Sequence, residues 1–197
     1  MLITTTEKPP TEPPTTLPSV QYASLVLNSF GDNEPLMLNS TGRPISGSRV
    51  TLDEYAEAYG SCLTAYRGTI YLFGGVRQKR QISRLNGCEF DRIGSTQFDF
   101  TYGSCGLFID GITDFILLCF DHNHPYSCWV MQQAEHGLQA HQVEYDTDNP
   151  HDYARLTSFG SLPFTVGSKY ASHSRTELLE SKMSRWTQLQ PYPFHDM

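Results

Sequence analysis

Tyr59-Gly60-Ser61-Cys62, followed by Gly68-Thr69-Ile70-Tyr71-Leu72-Phe73-Gly74-Gly75, decides how the rest of this chain is read. The same four residues return as Tyr102-Gly103-Ser104-Cys105, a step of 43 residues. The apolar run Phe115-Ile116-Leu117-Leu118 then answers Ile70-Tyr71-Leu72-Phe73, after a slightly longer turn. Self-similarity at this period, built from short strands, marks a stacked or radial β architecture.

Working outward, each unit is a set of short apolar segments separated by turn residues. Ser61–Thr64, Thr69–Phe73, Gln81–Leu85 and Cys88–Ile93 make one group of four. Ser104–Phe108, Phe115–Phe120, Tyr126–Met131 and Leu138–Val143 make a second. Upstream, Ser24–Asn28, Pro35–Leu38 and Arg49–Leu52 read as an antiparallel meander. Downstream, Phe164–Ser168, Thr176–Glu180 and Arg185–Leu189 form a partial set. Phe115 to Leu118 is apolar at consecutive positions rather than alternating, so the strand is expected to be covered on both faces. Sheets packed face to face around an axis require such strands. The fold class is therefore all-β, a β-propeller of about four blades with the first and last incomplete, a fragment of a larger ring. The expected boundaries are 1–20 as a disordered stalk or linker, then blades over about 21–58, 59–101, 102–150 and 151–197.

Within the first 20 residues, Thr4, Thr5, Thr6, Thr11, Thr15 and Thr16 alternate with Pro9, Pro10, Pro13, Pro14 and Pro18. Such a stretch is extended and solvated, and in a secreted protein it is a candidate for O-glycosylation. Asn39-Ser40-Thr41 is an N-glycosylation sequon on an expected turn, which makes Asn39 a candidate glycan site. No apolar run is long enough to span a bilayer, and no signal-peptide apolar region is visible. The formal net charge is −7 and the pI about 5.4. An acidic chain without a basic stripe argues against nucleic acid. Arg77, Lys79, Arg80 and Arg84 read as a solvated loop.

Five cysteines show no zinc spacing. Cys105 and Cys119 are symmetric about one turn, and Cys119 and Cys128 about the next. The candidates Cys105, Cys119 and Cys128 thus offer two alternative disulfides that exclude each other. His122-Asn123-His124 beside Asp121 lacks a third ligand at a recognisable spacing and reads as a polar loop tip. Asp146-Thr147-Asp148-Asn149 lacks the glycine and terminal glutamate of a calcium loop and reads as a turn. No nucleophile elbow, P-loop or dinucleotide fingerprint occurs. The chain is read as non-enzymatic, with no catalytic, cofactor or metal residues.

The segment Tyr71-Leu72-Phe73-Gly74-Gly75, an apolar strand closed by a diglycine, resembles the Kelch-repeat family of β-propellers, in particular uncharacterised Kelch-like proteins of invertebrates with Gly-Ser-Cys, Phe-Gly-Gly and Arg80-Gln81-Ile82-Ser83 segments. Glu177 to Glu180 leading to Trp186 echoes the end of the family's repeat, and the resemblance covers about residues 22–197. Only one diglycine is present; Cys119-Phe120 and Gly167-Ser168 stand in the other slots. The resemblance implies a non-catalytic module that binds a protein or glycan through blade-end loops; the Thr/Pro stretch and the candidate disulfides lead to the expectation of an extracellular setting. The alternatives are a fragment of a secreted propeller enzyme, such as a copper oxidase or glycosidase, and an intracellular substrate adaptor.

Overall fold

The computed structural model of the chain describes residues 24–26, 36–38, 44–52, 59–110, 113–135, 137–159, 162–167, 176–180 and 185–190. These contain strands and no helix. The first sheet is β1 (Ser24–Val26), β2 (Leu36–Leu38) and β3 (Pro44–Arg49), in that order. The second combines β4 (Thr51–Leu52) with β5 (Cys62–Tyr66), β6 (Thr69–Phe73), β7 (Gln81–Asn86) and β8 (Glu89–Ser95), ordered β4-β8-β7-β6-β5. β9 (Ser104–Asp110), β10 (Thr113–Asp121), β11 (His124–Ala134) and β12 (Gly137–Gln142) form the third as a meander. The fourth is another meander of β13 (Arg155–Phe159), β14 (Leu162–Val166), β15 (Thr176–Leu179) and β16 (Trp186–Gln188). Asn39 and the Thr/Pro stretch lie outside the described residues.

Local chemistry explains the meanders. Thr-Ile-Tyr-Leu-Phe in β6 is β-branched and aromatic, which suits a pleated, packed surface. Arg67 and Gly68, alone between β5 and β6, have φ of 49° and 76°. Positive φ at both central residues makes the tight turn whose twist matches a right-handed hairpin. The Arg67 guanidinium also reaches across to Asp114, with Nη2 2.6 Å from Oδ1.

β5 lies against β9, and β9 against β13, so the first strands of the second, third and fourth sheets sit side by side. From them the sheets fan out in a propeller-like arrangement that does not close among the described residues. Two dry seams hold the fan together. Between the second and third sheets, Tyr71, Phe73, Ile82 and Phe100 meet Ile116, Leu118 and Met131. Between the third and fourth, Phe115, Leu117, Phe120 and Val130 meet Leu179 and Trp186. β10 therefore serves both seams with adjacent residues, and Phe115 to Phe120 are all buried. The consecutive apolar run is the product of that double contact.

Two expectations need correction. Of Arg49–Leu52 only Arg49 belongs to the third strand of the first sheet, opposite Leu36: Thr51 and Leu52 pair in parallel with Glu89 and Phe90 and cover the outer edge of the second. Val50 sinks beside Leu72 and Phe90 in the process, and covered edges are protected from unwanted pairing. The fourth sheet also has a first strand, β13, which sequence inspection passed over. Its exposed residues Arg155, Thr157, Ser158 and Phe159 give it no apolar run to see.

The diglycine position is explained by a close backbone approach. Gly74 has φ of 66°, and a Cβ placed there would run into the Phe100 carbonyl oxygen. Gly75 N–H donates to the same oxygen at 3.0 Å. Phe120, at the irregularity near the end of β10, and Gly167, just after β14, have φ of 61° and 84°. A positive φ is thus kept at these strand ends without the glycine pair. Phe120, buried against His151 and Trp186, holds it through its ring.

Gly74→Ala is expected to destabilise by about 3 kcal/mol or more, since strain and overlap act together. Gly87→Ala, at φ of 62° with open space around it, costs about 1–2 kcal/mol for strain alone. Urea unfolding of the two variants checks the order. The Arg67 hydrogen bonds hold the Asp114 carboxyl below its ordinary pKa. A lowered folded pKa contributes stability above the ordinary carboxyl range, and that contribution is lost as pH falls through the lowered value. For an exposed pair the effect is small. Arg67→Met is expected to raise the Asp114 pKa in an NMR carboxyl titration, and the gap in thermal midpoint between variant and parent should close as pH falls.

Candidate functional site

Each of the three side-by-side first strands is preceded by a tyrosine, and the fold gathers all three. Tyr59 leads into β5, Tyr102 into β9 and Tyr153 into β13. The Tyr59 and Tyr102 rings meet edge to face at 5.6 Å, and Tyr102 and Tyr153 meet at 5.5 Å. His122, from the turn between β10 and β11, joins the row at 6.4 Å from Tyr102 and 5.8 Å from Tyr153. Centroid separations of this size are those of favourable aromatic pairs. The row remains at the surface: Tyr59 is 37% and Tyr153 38% exposed.

Backbone bonds between successive loops fix the row. Tyr102 N–H donates to the Gly60 carbonyl at 2.7 Å, and His122 N–H to the Thr101 carbonyl at 3.0 Å. Thr101 N–H donates to the buried Asp121 carboxylate at 2.6 Å, while Asn123 N–H donates to its other oxygen. The Cys62–Cys105 disulfide joins β5 to β9 three residues beyond Tyr59 and Tyr102. Tyr102 and Tyr153 adopt φ of 56° and 59°. For a bulky aromatic residue this conformation costs on the order of 1 kcal/mol or more, and such strain gathers at functional sites.

His122 and His124 turn to different carboxylates. His122 Nδ1 lies 3.4 Å from Asp152, and His124 Nδ1 lies 3.1 Å from Asp121. No group of three or more His, Cys, Asp or Glu side chains able to hold a metal ion occurs among the described residues. Asp146 to Asn149 forms a turn clamped onto the fourth sheet: Asp148 and Asn149 donate their backbone N–H groups to the buried Glu177 carboxylate. From that turn Asp148 also reaches Arg185 at 2.9 Å. In the basic loop, Arg80 and Lys79 both face Asp99, whose pKa is lowered chiefly by the Arg80 hydrogen bond. A cleft of about 380 Å³ opens between the second and third sheets beside Ile82, Thr96, Met131, Leu138 and Ala140, with no ionisable group in its lining.

The cysteines resolve as two bonds. Cys119 and Cys128 are direct cross-strand partners with Cα atoms 4.1 Å apart, the close type of antiparallel pair, and are bonded. The alternative of Cys105 with Cys119 is not formed. Cys105 stands opposite Leu118 while Cys119 stands opposite Ser104, so their side chains leave opposite faces of the sheet. Cys105 instead reaches Cys62 in the neighbouring sheet. Cys88 is free and exposed.

Sequence reasoning used Tyr59 and Tyr102 to find the repeat and gave them no role at a site; Tyr153 was missed. The signal was available, because equal placement before equivalent strands must bring the tyrosines to one end. Tyr153-Ala154-Arg155-Leu156 has lost the Gly-Ser-Cys that would have marked the third copy.

No helix among the described residues is long and apolar enough to cross a membrane. No family model and no curated protein matches the sequence. Among solved structures the fold is similar to that of YjhT, with a TM-score of 0.52 at 8% identity over 80% of this chain and 52% of that one. The chain thus spans about half the length of that propeller-like neighbour, and at this identity the likeness bears on fold alone.

Proposed function

We propose that this chain is a non-catalytic Kelch-type propeller module that binds a protein or glycan ligand through its sheet-end loops, outside the cell. The tyrosine row carries the reading. Three tyrosines and a histidine share one end of the fan, partly exposed, in a backbone geometry two of them hold against strain. Aromatic side chains at a rigid surface give large contact area at low entropic cost, and binding energy concentrates on such residues. The Kelch assignment is supported by the diglycine after β6 and by Trp186 buried in the last strand of the fourth sheet. Two disulfides fit an oxidising compartment.

A panel of immobilised glycans and cell-surface ectodomains provides the test. Tyr102→Ala and Tyr153→Ala are expected to weaken every ligand found by about tenfold or more. Arg67→Ala, at the opposite end of the sheets, should leave binding unchanged. Retention of full affinity in both tyrosine variants would place the site elsewhere, and copper or calcium in stoichiometric amount would overturn the non-catalytic reading. For the compartment, peptide mapping of the unreduced native protein is expected to return Cys62–Cys105 and Cys119–Cys128 as linked pairs, with Cys88 open to alkylation. Free thiols at all five positions would count against secretion.

A further inference from the structure

The loop between β12 and β13 carries an exposed tyrosine that the ligand row does not use. β12 runs antiparallel to β11, which starts at the His122 turn, so the chain leaves β12 at the same end of the fan as the tyrosine row. Two buried residues pin the loop there: Val143 N–H donates to the Cys128 carbonyl at 2.8 Å, and Thr147 N–H to the Tyr126 carbonyl at 3.0 Å. Between these pins Glu144, Tyr145 and Asp146 all stand exposed, Tyr145 by 44%. Asp148, also exposed, follows just beyond Thr147.

An exposed phenol and exposed acidic neighbours coincide at no other described tyrosine. Tyr66 and Tyr71 are buried. Tyr59, Tyr102 and Tyr153 are engaged with one another in the row, and the one carboxylate adjacent to them in sequence, Asp152, is buried beside His122. Tyr126 is exposed but stands between Pro125 and Ser127. Tyr145 also has a cation in its surroundings. Arg185, whose pKa is raised chiefly by its hydrogen bond to Asp148, feels the Tyr145 phenol as well. An anion built on that phenol would find a counter-charge already in place.

We propose that Tyr145 is a site of tyrosine sulfation, taking a sulfonate group from an adenosine phosphosulfate donor as the chain passes through the secretory pathway. This rests on the extracellular reading of the chain, since protein tyrosines are sulfated in that compartment. In the transfer the Tyr145 Oη–S bond forms and the bond from sulfur to the donor's phosphate oxygen breaks. The phenolic proton leaves to a base of the transferase, and nothing is oxidised or reduced. A transferase that binds so anionic a donor presents basic groups, and Glu144, Asp146 and Asp148 steer the acceptor loop onto them. The oxidising compartment that two disulfides fit favours this over phosphorylation, the other group transfer an acid-flanked tyrosine receives. The product is a fixed negative charge where a neutral phenol stood, at the end of the fan that carries the row.

Peptide mapping of the unreduced native protein tests this, with exact mass and acid lability separating sulfate from phosphate. The peptide spanning Glu144 to Asp148 is expected to carry a sulfonate group on Tyr145. In a second measurement the purified, disulfide-bonded 197-residue chain is incubated with a Golgi tyrosine sulfotransferase and labelled donor. Label on that peptide is expected. Glu144→Gln combined with Asp146→Asn, both at exposed positions, should reduce it by about tenfold or more at an unchanged thermal midpoint. Tyr55, after Asp53 and Glu54, shares the acidic context but lies outside the described residues, so sulfate is scored peptide by peptide. Linked cysteines with a bare Tyr145 overturn the proposal and leave the extracellular reading standing, whereas free thiols at all five cysteines overturn both. Phosphate on Tyr145, or labelling indifferent to the loss of both acids, overturns it as well.

Discussion

Burial of β10 on both sides is the constraint from which the rest of this structure follows. Ile116 and Leu118 belong to one seam, and Leu117 and Cys119 to the other. Burying a side chain of this size contributes about 1.5–3 kcal/mol, and truncating one to alanine costs about 2–5 kcal/mol. A strand that contributes to two cores at once cannot tolerate a polar residue at any central position. It also commits the sheets on either side to face it, which is why the second and fourth sheets flank the third.

Packing of this kind brings the first strands together, and their leading tyrosines with them. Buried polar groups then fix the loops. Asp121 holds the Thr101 and Asn123 amides, and Glu177 holds those of Asp148 and Asn149 together with the Asn149 side chain. Gln81 donates its side-chain amide to the Gly74 carbonyl. His151, fully buried, lies against the Gly167 carbonyl at 2.8 Å and 3.5 Å from Glu177. Apart from the contacts of the Asn149 and His151 side chains with Glu177, each of these interactions satisfies a backbone group that a buried loop would otherwise leave unpaired. The surface row therefore rests on loops that are tied rather than free, and a rigid recognition surface loses little entropy when it binds.

How much of this was legible follows from which physical signals are local. Thr69–Phe73 and Phe115–Phe120 were readable because strand propensity and two-sided burial write themselves into consecutive residues. The Tyr-Gly-Ser-Cys repeat disclosed the architecture for the same reason. β13 was not legible, because its outward residues carry no apolar pattern. Nor was the parallel pairing of Thr51 with Glu89, where two residues are too few to hold a register signal. Cys62–Cys105 required the repeat to be read as geometry: equal positions on adjacent first strands become neighbours in space. The tyrosine row required the same step.

The two disulfides differ sharply in the span of chain they close. Cys119 and Cys128 are nine residues apart, on either side of a tight hairpin turn, whereas Cys62 and Cys105 are separated by 43. Loop-closure entropy rises with span, so the hairpin bond is the cheaper to form and needs only β10 and β11 in place. The longer one needs two sheets already docked. Cys88 lies between its two members in sequence and presents each with a nearer thiol during oxidation. Mispairing through Cys88 would trap the second sheet before it could seat on the third, which makes correct oxidation a report on inter-sheet assembly.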